Sequence, residues 1–128
     1  MATGLDELQR RVRSALEAGD LDAFGQLLAP DVRWGPADEP EWGCKNRGEV
    51  ISWYQAARNR GMSASVDEVV AGQGCLLVGL TVSGTPGAAE QGGSTSRWQV
   101  LTVRDGQISD IRGFDSRERA AERAGVSP

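Results

Sequence analysis

The chain has 128 residues, a formal charge of −4 and no histidine. That length suits one domain covering residues 1–128. Its scattered basic residues make no stripe for nucleic-acid phosphates, and no apolar run approaches the roughly 18 residues of a membrane span. The first residues also lack the charged and apolar regions of a secretion signal, so a soluble cytoplasmic protein without membrane or nucleic-acid partners is expected.

Leu5, Leu8, Val12 and Leu16 recur at helical spacing, which predicts a first amphipathic helix opened by a Thr3–Asp6 capping box and stopped by Gly19. Asp20 caps a second helix, whose apolar face is Leu21, Phe24, Leu27 and Leu28 and which Pro30 ends. Val32 and Trp34 then alternate with polar neighbours as a short strand, and residues 35–43 form a loop rich in proline, glycine and acids. Asn46 with Glu49 opens a third helix, with Val50, Trp53, Tyr54 and Ala57 inward and Gly61 at its close; Trp53 is read as core. Beyond Gly61 the period falls from about 3.6 to about 2. Four strands follow, at 63–71, 75–83, 96–104 and 107–115, joined by short turns except for the Gly/Pro/Ser-rich connection 84–95. They should form an antiparallel meander. Ser116 caps a last short helix from Arg117 to Ala124, which has only alanines inward and is expected to dock loosely. Helices followed by a curved antiparallel sheet make an α+β layer arrangement.

The hairpin around Arg104-Asp105-Gly106 sets two faces. A three-residue loop with a left-handed Gly106 places Val103 opposite Gln107, Gln99 opposite Ile111 and Arg97 opposite Gly113. Arg97, Gln99, Leu101, Ile111, Gly113 and Asp115 then share one face, and Trp98, Val100, Ile108, Arg112 and Phe114 the other. A two-residue turn would flip one strand relative to its partner.

The element order, with the segments Ala15-Leu16-Glu17-Ala18-Gly19-Asp20-Leu21-Asp22-Ala23-Phe24, Leu28-Ala29-Pro30-Asp31-Val32-Arg33-Trp34, Val103-Arg104-Asp105-Gly106-Gln107-Ile108 and Asp110-Ile111-Arg112-Gly113-Phe114-Asp115-Ser116-Arg117-Glu118, resembles the nuclear transport factor 2-like superfamily. Its SnoaL-like branch, which includes polyketide cyclases, is the nearest likeness. The resemblance implies a cone-shaped fold in which N-terminal helices and the concave side of the sheet enclose one pocket. It also implies that the face carrying Arg97, Gln99, Leu101, Ile111, Gly113 and Asp115 lines that pocket. Isomerases, epoxide hydrolases, cyclases and members with no chemistry share this fold, so fold decides little about function.

On these positions the family's catalytic apparatus is missing. Gln99 falls where isomerases and cyclases carry an acid or a histidine. Arg97 with Gln99 is similar to the Arg-x-Asp of the epoxide hydrolases with its carboxylate amidated. Gly113 falls where their second acid belongs, and Pro36 near the place of the isomerase base. The absent histidine removes Ser-His and Cys-His nucleophiles, histidine-ligated zinc and imidazole shuttles. No metal and no cofactor is expected. Asp115 is the remaining candidate base, read here as ion-paired with Arg97 in preference to a buried unpaired or an exposed carboxylate.

Trp34 and Tyr54 are candidate aromatic walls, and Tyr54 stands where isomerase-like proteins place a supporting hydroxyl, within reach of a ligand oxygen or of Gln99. Trp42 and Cys44 are placed on the rim, and Cys75 in the core. With no secretion signal and no histidine, both cysteines are read as reduced thiols rather than a disulfide or a metal pair. The second face, with Trp98, Val100, Ile108 and Phe114, is too apolar for water, and a homodimer through it is expected. Two functions compete. One is a pocket protein that binds an apolar, oxygen-bearing small molecule. The other is a metal-independent isomerase, cyclase or hydratase acting on a polyketide-like or steroid-like substrate, in which Asp115 moves the proton and Tyr54 assists. A structural dimer with a filled core is a third reading.

Overall fold

A computed structural model describes residues 5–36, 43–84 and 92–126. Helix α1, Leu5–Ala18, buries Leu8, Val12 and Ala15, the stripe that its helical spacing dictates. The Thr3 end of its capping box lies outside the described residues. Helix α2, Leu21–Gln26, begins where the Asp20 carboxylate accepts a hydrogen bond from the Ala23 amide at 3.0 Å. It is shorter than the sequence suggested. Leu27 caps it, and Leu28 already belongs to strand β1, Leu28–Pro36, where it lies beside Ile108. Pro30 fits there because β1 is an edge strand whose pairing lapses between Leu28 and Arg33.

Helix α3, Arg47–Asn59, starts at a reciprocal cap: the Asn46 side chain accepts from the Glu49 amide at 2.9 Å, and the Glu49 carboxylate accepts from the Lys45 amide at 2.8 Å. Val50 is buried on its inner face, whereas Trp53, expected in the core, is 38% exposed. Strands β2 (Ser63–Ala71), β3 (Cys75–Ser83), β4 (Ser94–Arg104) and β5 (Gln107–Phe114) form the expected antiparallel meander. Strand β1 adds to the outside of β5 in parallel, giving the order β1-β5-β4-β3-β2. The sheet is therefore curved and mixed rather than wholly antiparallel. A parallel pair needs a long crossover, and α3 with three strands supplies it.

The β4–β5 register departs from expectation twice, and the departures cancel. The turn has two residues, with Arg104 paired to Gln107 and both Asp105 (φ 55°) and Gly106 (φ 78°) left-handed, as in a type I′ turn. Val103 pairs with Ile108 while Thr102 pairs with Asp110, so Ser109 is an extra residue in a bulge. Each step alone inverts the strand; together they restore the faces from Asp110 onward. Pairing is displaced by two residues, with Gln99 opposite Gly113 and Leu101 opposite Ile111. Ile108 precedes the bulge and so turns inward, joining Leu28, Leu101 and Ile111 in the main core rather than the outer face.

That core lies between α1, α2, α3 and the inner face of the sheet. The outer face is covered by helix α4, Arg117–Ala124, which the sequence suggested would dock loosely. Ala120 and Ala124 pack with Cys75, Leu77, Val100 and Phe114 in a second core. Their small side chains allow close approach, so an all-alanine face makes a tight contact. Arg117 grips Glu68 of β2 in a forked ion pair at 2.7 and 3.2 Å, and the Gln73 amide donates to the Ala124 carbonyl at 3.0 Å. Val100 and Phe114 are thereby 2% and 8% exposed within a single chain. The reason for expecting a second subunit on that face is accordingly lost. Among the described residues no helix is long and apolar enough to cross a membrane.

Candidate functional site

A cavity of about 280 Å³ opens where the C-terminal ends of β1 and β5 meet the first residues of β4. Strand β5 stops at Phe114, and the lining residues gather around that end of the sheet. Trp34 and Pro36 come from β1, Arg97, Trp98 and Gln99 from β4, and Gly113, Phe114 and Asp115 from the end of β5. Helix α4 adds Arg119. Residues of both sheet faces contribute, which places the site at the end of the sheet, where the sequence reading had put it on the concave face alone.

The indole of Trp34 is held from behind. Its ring lies 4.3 Å from that of Trp53, and Tyr54 meets it edge-on at 6.4 Å. Paired backbone hydrogen bonds of 2.9 and 2.8 Å between Trp34 and Cys44 fix the strand at the same point. The approach is so close that a Cβ on Gly43 (φ 119°) would stand 1.9 Å from the Trp34 carbonyl oxygen, so only glycine fits there.

Tyr54 does not line the cavity. It sits behind Trp34, in edge contact with Phe24 at 5.9 Å, and its hydroxyl accepts from the Gln99 side-chain amide at 3.5 Å. Burial pushes its phenol up to about 12, against smaller opposing effects of hydrogen bonds from Gln99 and Trp34. At neutral pH this hydroxyl is a proton-bearing donor and not a base.

Asp115 pairs with Arg119, one helical turn away, at 3.5 Å, and not with Arg97 as expected. Its side chain is 69% exposed. Arg97 makes no ion pair or hydrogen bond among the described residues. The end of β5 explains the change: its last pair is Trp98 with Phe114, so Arg97 lies beyond the ladder, and Ser116 turns the chain into α4, which brings Arg119 to Asp115 instead.

Two more of the expected positions lie away from the cavity. Leu101 and Ile111, expected on the wall, are fully buried in the main core away from the cavity. Gly113 does line it, and a Cβ there would meet nothing within 4 Å. Cys44 lies beside Trp34, where burial, helped by the Glu49 carboxylate, raises its thiol above the ordinary range and so disfavours a nucleophilic thiolate. Trp42 lies outside the described residues. Both cysteines are free, and Cys75 is buried as expected.

Trp98, Phe114 and Arg119 are wall residues that the sequence reading did not assign. Arg119 was detectable, since a Ser116 cap after Asp115 puts residues 115 and 119 four apart at a helix start. Trp98 and Phe114 were not, because a strict inside–outside alternation says nothing about a cavity that wraps around a strand end.

Among curated proteins no sequence relative matches the chain. Solved structures do share its fold. A proposed polyketide cyclase from Sinorhizobium meliloti is 22% identical, with a TM-score of 0.64 over 81% of this chain and 90% of that one. A proposed ketosteroid isomerase from Kribbella flavida is 19% identical, with a TM-score of 0.68 over 86% and 76%. A protein of unknown function with a cystatin-like fold from Xanthomonas campestris is 17% identical, with a TM-score of 0.68 over 98% and 100%. At these identities the likeness establishes the fold, which is that of the nuclear transport factor 2-like proteins, and leaves activity open. In sequence, residues 8–111 match the SnoaL-like domain, from the second turn of α1 to the middle of β5, and the chain belongs to that family.

Proposed function

We propose that this chain, as a single domain, binds one small, largely apolar, oxygen-bearing molecule in the cavity at the end of the sheet and does not turn it over. The lining supports this reading. Trp34, Trp98, Phe114 and Pro36 offer apolar surface, Arg97 and Gln99 offer hydrogen-bond donors, and the carboxylate present, Asp115, is exposed and engaged by Arg119. Native mass spectrometry of the chain purified without denaturation is expected to detect a bound small molecule that is missing from Gly113→Val. The same adduct in both proteins would rule out this cavity as its site.

Catalysis of isomerisation, cyclisation or hydration on a polyketide-like or steroid-like compound is the second reading. Gln99 favours it, since it lines the cavity, is held from behind by the Tyr54 hydroxyl, and its amide suits a carbonyl or an enolate oxygen. Asp115 would then move the proton without a metal. A carboxyl NMR titration of Asp115 in the ligand-bound protein tests it, as does turnover by Asp115→Asn; undiminished turnover removes Asp115 from any mechanism.

The free thiols of Cys44 and Cys75 agree with a reducing, cytoplasmic setting. A homodimer through the outer sheet face stands as a proposal whose first reason α4 has taken away. Sedimentation at micromolar concentration decides it, a single monomeric species being the result that ends it.

A further inference from the structure

The cavity carries more positive charge than the chain around it. Among the described residues Arg97 and Arg119 both line it and Asp115 offsets one of them, which leaves one positive charge there in a molecule of net charge −4. Arg97 holds that surplus. It projects from the inner face of β4 beyond the end of β5, its cross-strand neighbour on β3 is the apolar Leu80, and no described carboxylate or carbonyl engages its guanidinium. Asp115, the acid that the sequence brought to this end of the sheet, is committed to Arg119 at 3.5 Å.

The side chain of Arg97, exposed to solvent, lines the same cavity as the apolar Trp34 and Phe114. Its planar fork matches a carboxylate through two parallel hydrogen bonds. The indole of Trp34, backed by Trp53 at 4.3 Å, presents a fixed flat wall to the same space. A neutral ligand would use the wall and leave Arg97 with no partner among the described residues. From this arrangement we infer that the molecule bound is a small, flat, apolar acid whose carboxylate pairs with Arg97 while its ring lies against Trp34. The inference rests on the binding reading above and adds to it the charge and the orientation of the ligand.

The test compares 2-naphthoate with its uncharged methyl ester, using the full chain, by calorimetry and by the indole NMR signals of Trp34 and Trp98. The acid is expected to bind about tenfold more tightly than the ester, the margin of one charge-assisted fork, and high salt should reduce that ratio. In Arg97→Met the ratio should fall to about one, and Arg97→Lys should keep part of it, since a point charge replaces the fork. Equal binding of acid and ester, with both indole signals shifted, would overturn the acid inference and leave the pocket reading standing. An acid preference that survives in Arg97→Met would overturn it too, by assigning the charge recognition elsewhere. No heat and no indole shift from either probe would overturn both readings.

Discussion

The side-chain amide of Gln99 donates to the hydroxyl of Tyr54 across 3.5 Å, tying the inner face of β4 to α3 beside the cavity. The chain has a single tyrosine, so an ultraviolet pH titration reads this hydroxyl alone. The expected midpoint is about 12, above the ordinary value of 10. Ionisation near 10 would mean that the phenol is in water. In the unfolded chain the same phenol ionises earlier, so its contribution to stability is complete below about pH 10 and declines as pH rises towards 12, at about 1.4 kcal/mol per unit of displacement.

Gly113 provides room and not backbone freedom, since it has no left-handed φ and a Cβ there meets nothing within 4 Å. Gly113→Ala should leave the protein as stable as before or raise its stability by up to about 1 kcal/mol, because glycine in a strand is entropically costly. Gly113→Val should keep the fold and fill the cavity. Urea denaturation checks the first statement and ligand calorimetry the second; a loss of more than about 2 kcal/mol in either variant would show a crowded site.

Helix α4 closes the outer face by alanine contact, and Cys75 beneath it donates to the Ala124 carbonyl at 3.4 Å. Ala120→Arg should cost about 2–3 kcal/mol by forcing a long charged side chain into a fully buried position. The same change should expose Cys75, whose alkylation in the native wild-type chain is expected to be slow because burial hides the thiol and raises its pKa. Mass spectrometry of the alkylated peptides reads both cysteines separately. Fast labelling of Cys75 in the wild-type chain would show that α4 does not hold its place.

The Asp105-Gly106 turn keeps both residues at positive φ. Gly106→Ala should therefore cost about 1 kcal/mol, since a Cβ is strained in that region. Asp105→Asn should cost little or nothing, because asparagine tolerates it at least as well. Thermal or urea unfolding of the two variants checks this, and a Gly106→Ala chain as stable as the wild type would overturn the left-handed conformation at Gly106.

Local chemistry was legible in the sequence wherever a few adjacent residues decide the outcome. The Asp20, Asn46 and Ser116 caps each bond the backbone amide three residues on, and the change of period after Gly61 marks the meander that the structure contains. The SnoaL-like resemblance was equally readable, because it rests on the order of such elements. Tertiary structure decided what depends on distant strands. The parallel seat of β1 against β5, the bulge at Ser109 that turns Ile108 inward, and the docking of α4 on the outer face are settled by which packing buries most apolar surface. That difference reaches the site. The sequence placed Arg97, Gln99, Gly113 and Asp115 on one face, and all four line the cavity. Which arginine Asp115 engages was set by where β5 ends and α4 begins, so the lack of a partner for Arg97 among the described residues is a property of the fold.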